Sequence, residues 1–428
     1  MKRIVALWLS LCLLLCLAAC GTEDLPAREM PEQPQAVQPV VTGSYLTETD
    51  PRIAEQLGSP VIVHVTNRTE TFYAPDDSGK LILTFGSDVV KVVMDDRTAA
   101  DRINQFLAMR DEMFYSGSGN GDGLNEILEL ATDNYAMVNE LGTTQNTEFS
   151  CSRSAAVERG DSRILSIRYR VNTYTGGAHG LAFDRAYVFD AATGVLLTLD
   201  DLSTDRAALE QAMLDKMTEL IETDVRYQPL QDYMTSFQSD RSMEDSLRAL
   251  LREGSWLLSE EGLVVFSDLY EIGSYADGII RFTLRYDELG ELLKEDWRPI
   301  ERLESGELLI RDLNDAGSSA ISLLDMVSAA EDGAQFRLFS QGTVYDVSIA
   351  SAVYINDHVG FYRTDTLWYC SYLSNAGVQL QTRIPDGMPD LMIRFLDADG
   401  EAHSLLLTQS AEDGAVILLE EAHVEAVG

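Results

Sequence analysis

The sequence predicts an α+β fold, with antiparallel sheets carrying packed helices, followed by a smaller, mostly-β C-terminal domain. Three observations predict it. Runs such as Val61–Val65 (VIVHV) and Ile164–Val171 alternate with period two; in the second, Leu165, Ile167, Tyr169 and Val171 form one apolar face. Two stretches recur at three- and four-residue spacing instead: Ile103, Phe106, Leu107, Arg110, Met113 and Phe114, then Leu124, Ile127, Leu128, Ala131, Tyr135 and Val138. From Pro299 onward, short apolar runs between turn residues replace helical spacing.

Taken in order, strands are predicted at Val61–Val65, Lys80–Phe85 and Val89–Met94. Asp95 and Asp96 can cap the first helix, and SGSGNGDG (116–123) separates it from the second. Phe149–Val157 and Arg163–Thr173 read as a hairpin turning at Arg159-Gly160-Asp161, and Ala182–Phe189 with Val195–Thr198 as another. Leu202–Asp224 reads as a helix, Ser242-Met-Glu-Asp245 opens another as a capping-box variant, and Asp287–Trp297 is the last. Strands fall between them at Trp256–Leu258, Leu263–Phe266 and Gly278–Leu284. Beyond Pro299 nine short strands are predicted, from Leu308–Ile310 to Val416–Leu419, with one weak helical run at Leu324–Ala329.

The N-terminus carries an address. Lys2 and Arg3 precede the apolar run Ile4–Leu17, and Leu17-Ala18-Ala19-Cys20 places small residues before a cysteine. Residues 1–19 are expected to be a lipoprotein signal peptide, shorter in its apolar part than a bilayer span. Cys20 then takes a lipid such as palmitate, which holds the chain at the extracytoplasmic face of the cell membrane. Residues 20–56, with Pro26, Pro31, Pro34 and Pro39, form the expected tether.

The chain has 428 residues and a net charge of −38, and loss of Lys2 and Arg3 makes it more acidic. That balance disfavours nucleic acid and anionic headgroups and suits a cationic partner; solubility alone explains it equally well. Cys151 and Cys370 are expected to be buried thiols rather than a pair. His64, His179, His358, His403 and His423 include no two within four residues, so no metal pair on a helix is available and no cofactor is expected. Asp312-Leu-Asn-Asp-Ala-Gly317 is like a calcium loop but has Ala316 where an oxygen ligand belongs, and reads as a turn. Asp95-Asp96 and Asp200-Asp201 precede helices, where capping accounts for them.

Two segments stand out as binding candidates. Tyr174 leads into Gly176, Gly177, His179 and Gly180, a turn whose glycines permit positive φ and whose histidine can bind, donate or act as a base. The competing reading is a buried turn locked by a histidine hydrogen bond. Tyr270, Glu271 and Tyr275 lie in an aromatic loop suited to a sugar face or a protein rim. The competing reading there is a connection packing its own rings on the core. No nucleophile elbow, phosphate loop or zinc-protease motif is present, so the chain is expected not to be an enzyme.

NTYTGGAHG (172–180), YVFDAATGVLLTLDDL (187–202) and GLVVFSDLYEIGSYADGIIRFTLRYDEL (262–289) resemble, in that order, the paired extracellular domains of the RsiV anti-sigma factor and the N-terminal region of PdaC-type peptidoglycan deacetylases. The resemblance covers roughly residues 57–296. It implies a PdaC-like α+β domain at 57–180, an RsiV-like one at 181–298 forming one unit with it, and a β-rich domain at 299–428. The cytoplasmic sigma-binding segment and membrane span of the sensors, and the histidine-rich metal domain of the deacetylases, have no counterpart here. The resemblance therefore implies a non-catalytic envelope module that binds cell-wall glycan (peptidoglycan) or a lysozyme-like protein. The alternatives are a cryptic cell-wall hydrolase or deacetylase-related enzyme using His179, and an accessory subunit that docks another envelope protein.

Overall fold

The computed structural model describes residues 51–76, 78–117, 123–142, 148–237, 241–313, 321–330, 332–355, 360–384, 389–410 and 414–420. Cys20, most of the expected tether, His358, His423 and residues 314–317 of the calcium-loop-like turn lie outside them. The described residues belong to one compact unit.

The described residues open with helix α1 (Pro51–Leu57), inside the stretch expected to be tether. Ile53 and Leu57 account for it, since they bury against Tyr345, Tyr372 and Leu396. Strands β1 (Ile62–Tyr73) and β2 (Leu81–Val93) form a long antiparallel ribbon. Asp96 then caps α2 (Arg97–Ser116) by accepting from the Thr98 and Ala99 amides. Helix α3 (Leu124–Leu141) ends at Gly142, whose φ is 63°. Of the predicted inner positions, Ile103 and Leu107 are buried in one helix and Ile127, Ala131 and Tyr135 in the other, while Met113 at the end of the first is exposed.

Strands β3 (Phe149–Gly160), β4 (Ile164–Tyr174) and β5 (Leu181–Asp190) continue the sheet as a meander. The second predicted hairpin is short: Phe189 bridges Leu196, with the Asp190 amide donating to Val195 O and the Leu197 amide to Val188 O. The helix predicted over 202–224 divides into a turn, α4 (Leu199–Leu202), and α5 (Arg206–Thr223), each with its own N-cap. Helix α6 (Gln228–Phe237) gave no sequence signal, while α7 (Met243–Arg248) starts at its predicted cap, Ser242. Strands β6 (Trp256–Leu258), β7 (Gly262–Phe266) and β8 (Arg281–Arg285) form a small sheet whose core is shared with α5–α7. The helix expected at 287–297 is instead the short α8 (Tyr286–Leu289) and two 3₁₀ turns, interrupted by Gly290 at a φ of 48°.

The remaining strands are β9 (Glu307–Asp312), β10 (Ser322–Ser328), β11 (Ala334–Gln341), β12 (Thr343–Ile355), β13 (Gly360–Ser374), β14 (Ala376–Thr382), β15 (Leu391–Leu396), β16 (Ala402–Gln409) and β17 (Val416–Glu420). The weak helical run at 324–329 falls in β10, which pairs in parallel with β14. Strands β10, β14, β11 and β9 form a separate four-stranded sheet. The others join the main sheet, because β13 pairs with β1 in the register Ile62 to Cys370, Val63 to Tyr369 and His64 to Trp368. The ten-stranded order is β17-β16-β15-β12-β13-β1-β2-β3-β4-β5, so main-chain hydrogen bonding is continuous across the boundary near residue 298. Leu338, Val378 and Leu380 of the smaller sheet share a core with Val347, Ile349 and Trp368 of the larger. Cys151 and Cys370 are both buried and form no disulfide, and burial pushes the Cys370 thiol up. No helix among the described residues is long and apolar enough to cross a membrane.

The main sheet forks at its centre. Strands β2 and β3 pair in parallel only from Leu83 with Phe149 to Ser87 with Arg153. Just beyond, the Asp88 carboxylate accepts the Ala155 amide (2.8 Å), taking the place of a ladder bond. Arg153 donates to Ser87 Oγ, Asp88 O and Asp111 Oδ1, and lies between the Phe114 and Tyr169 rings. Burial raises the Asp88 carboxyl above the usual carboxylate range, against the pull of the bonds it accepts.

Candidate functional site

The turn between β4 and β5 and the loop between β7 and β8 meet at the surface. Gly176 and Gly177 both have a φ of 95°, which side chains avoid. Gly180 is needed for another reason, since a Cβ there would fall 2.5 Å from the Thr173 carbonyl oxygen. Tyr174 closes the turn by donating its hydroxyl to Gly177 O (3.1 Å). His179 is exposed, so the turn is not the buried one of the competing reading.

The facing loop is built around Glu271 and Ile272. Glu271 accepts the Asp268 amide and pairs with Arg252, which also reaches Asp268; Arg185 on β5 binds Asp268 from the other side. Ile272 is fully buried beneath. Between these anchors Tyr270 takes a φ of 65°, a left-handed conformation unusual for a tyrosine, and its carbonyl accepts from the Tyr233 hydroxyl of α6. Asp277 secures the far end through the Ser274 amide and hydroxyl.

His179, Tyr270 and Tyr275 come together there. The imidazole stacks on the Tyr275 ring with centroids 3.9 Å apart and planes 21° from parallel. Its Nε2 lies 2.8 Å from the Tyr270 hydroxyl, and its Nδ1 lies 3.1 Å from Gly180 O. A carbonyl only accepts, so this network assigns the proton to Nδ1 and leaves Nε2 to accept from Tyr270. Tyr270 and Tyr275 remain 40% and 42% exposed, which makes the group an open aromatic platform. Of the eight candidate residues, three thus form a surface, Tyr174 and the three glycines shape its turn, and Glu271 holds the loop. Tyr233, Arg252, Asp268 and Arg185 were missed, because nothing in their local sequence marks them as supports.

A second polar concentration lies where the helix-bearing and strand-rich parts meet. Asp161, Glu260, Arg302 and Asp346 line a cavity of about 40 Å³, room for a water or two but not for a sugar. Burial and the Asp346 carboxylate push Glu260 up to about 8, against the pull of Arg302 and Arg159. Arg302 reaches Glu260 at 2.5 Å, and Tyr369 donates to Asp346. Among the described residues no group of three or more His, Cys, Asp or Glu is placed to hold a metal ion.

A model of the family described as "protein of unknown function (DUF3298)" matches residues 200–287. Two solved structures are similar to this chain. One is a member of that family from Bacteroides fragilis NCTC 9343, at 16% identity and a TM-score of 0.39, covering 56% of this chain and 96% of its own. The other is a DUF3298 family protein from Pseudomonas aeruginosa PAO1, at 16% and 0.38, covering 55% and 96%. No curated protein matches the chain. The matched residues 200–287 run from α4 into α8 and include the loop of Tyr270 and Tyr275.

Proposed function

We propose that this chain is a non-catalytic module of the cell envelope, lipid-anchored at Cys20, whose aromatic platform binds cell-wall glycan. The platform carries the reading. Two exposed tyrosines and a stacked imidazole, fixed by hydrogen bonds before any ligand arrives, present ring faces for sugar C–H surfaces and polar edges for hydroxyls. His179 Nε2 is engaged by a tyrosine hydroxyl and no carboxylate contacts the ring among the described residues, which favours binding over hydrolysis.

Calorimetric titration of the chain with muropeptides tests the reading. Tyr275→Ala is expected to weaken binding about tenfold, in line with the loss of one stacked ring and its buried area. Undetectable binding by the unaltered chain, or equal binding by Tyr275→Ala, would overturn it. The net charge of −38 favours a second reading, a cationic lysozyme-like protein as the ligand. That reading expects lysozyme binding that weakens steeply with salt. Labelling with a palmitate analogue, lost in Cys20→Ser, tests the anchor.

A further inference from the structure

Away from the platform, the strand-rich part gathers cations that its own carboxylates leave unmatched. Arg394 of β15 stands directly opposite Ser348 of β12, so both side chains rise from one face of the sheet. Arg363 of β13 reaches the same serine, with Nη1 3.3 Å from Oγ. Strand geometry alone would not bring it there. The β12–β13 register slips twice, between Ile349 and Ala350 and again before Ala352, so that Arg363 faces Ala352. An unbroken ladder continuing from Ile349 and Trp368 would set it against Tyr354, about 7 Å further from Ser348 at the usual rise per residue. Two bulges thus carry the guanidinium into reach, a common use of bulges beside functional sites.

Neither Arg363 nor Arg394 has an ion pair among the described residues, in a chain where 70 acidic residues outnumber 32 basic ones. Burial, then the charge of Arg394, make the Arg363 guanidinium easier to deprotonate than usual, against the pull of the Glu158 and Asp346 carboxylates, which lie too far off to form an ion pair with it. Nearby, Glu158 and Asp184 are already shared among Arg168, Arg170 and Arg281. Asp346 accepts from Tyr369, and burial holds its carboxyl above the usual range against the pull of that bond and of Arg302 and Arg394.

We propose that Arg363, Arg394 and Ser348 form a binding site for an oxyanion, a carboxylate or phosphate group of a ligand, on the face of the β12–β13–β15 sheet opposite the core it shares with the smaller sheet. Two guanidinium forks supply directed donors and the serine hydroxyl a third. The site is independent of the aromatic platform, so either can fail alone.

The test titrates the whole chain with inorganic phosphate and, separately, citrate, against sodium chloride at matched ionic strength, following thermal midpoint and heat of binding. Saturable binding of one or both ions is expected. Arg394→Gln, an exposed position, should weaken it at least tenfold while the midpoint without anion is unchanged, and Arg363→Gln should weaken it by a similar factor. A preference for phosphate identifies a phosphorylated ligand, and a preference for citrate a carboxylate one. No saturable binding of either ion, or binding that survives Arg394→Gln, would overturn the proposal.

Discussion

Arg159, in the helix-bearing part, and Arg337, in the strand-rich part, are both buried guanidinium groups with opposite surroundings. Arg159 is fully buried and satisfied: it donates to Asp161, the Tyr286 hydroxyl, Trp297 O and Arg298 O, and so ties the end of β3 to the segment leading into the strand-rich part. Arg337 keeps 6% of its surface, yet its Nε and Nη1 meet no partner among the described residues, and the residue across the ladder is Arg311. The first part uses buried charge as a joint, as it does again with Arg153 at the fork. The second leaves charge without a complement, a cost to folding unless something else is gained.

This contrast sets the expected effects in order. Arg159→Ala should cost about 3–5 kcal/mol, since it takes the guanidinium partner from Asp161 and the side-chain donor from the Trp297 carbonyl; urea unfolding measures it, and a loss under about 1 kcal/mol would mean the joint is not a joint. Arg337→Met should be neutral or stabilising by up to about 1–4 kcal/mol in the same assay. A clear loss there would reveal a partner for the guanidinium and erase the difference between the two parts.

Glu260 sits at their meeting point and gives a pH-dependent effect. Its carboxyl is raised from 4.5 to about 8, so the folded chain keeps a proton that the unfolded chain has released. The stability this contributes is complete below about 4.5 and lost as pH rises through about 8, with a slope of at most about 1.4 kcal/mol per pH unit. Glu260→Gln should flatten the fall in stability over that window, and an unchanged pH profile would show that the proton is not held there. The smallest effect belongs to the platform. Tyr270→Phe removes one half-exposed hydroxyl and should cost about 0.5–1.5 kcal/mol in the same urea assay.

Helices α2 and α3 and the β3–β4 hairpin were legible because each keeps its period over several repeats and buries one face, the β3–β4 ladder running unbroken from Ser150 to Val157. Strands β12 and β13 were read as short fragments because their bulges break the period-two pattern that marks a strand. Helix α6 was missed because it is brief and anchored by only Leu230 and Met234. For the candidate site the same division holds. Glycines flagged the His179 turn and tyrosines the facing loop, but their convergence, 91 residues apart, depends on tertiary packing. Arg363 and Arg394 carried no signal, since what sets them apart is the lack of a carboxylate, which sequence neighbours do not report.

The pairing of β1 with β13 also bears on how the chain reaches this state. The Val61 amide bonds to Ser371 Oγ, 310 residues later. Until that late segment arrives, one edge of β1 has no partner, and a bare edge invites other strands. Contacts so distant slow folding, and in a chain delivered from its N-terminus the central sheet closes only near the end of delivery. A truncation before residue 360 would therefore yield an open-edged intermediate prone to aggregate, rather than an independently stable N-terminal half.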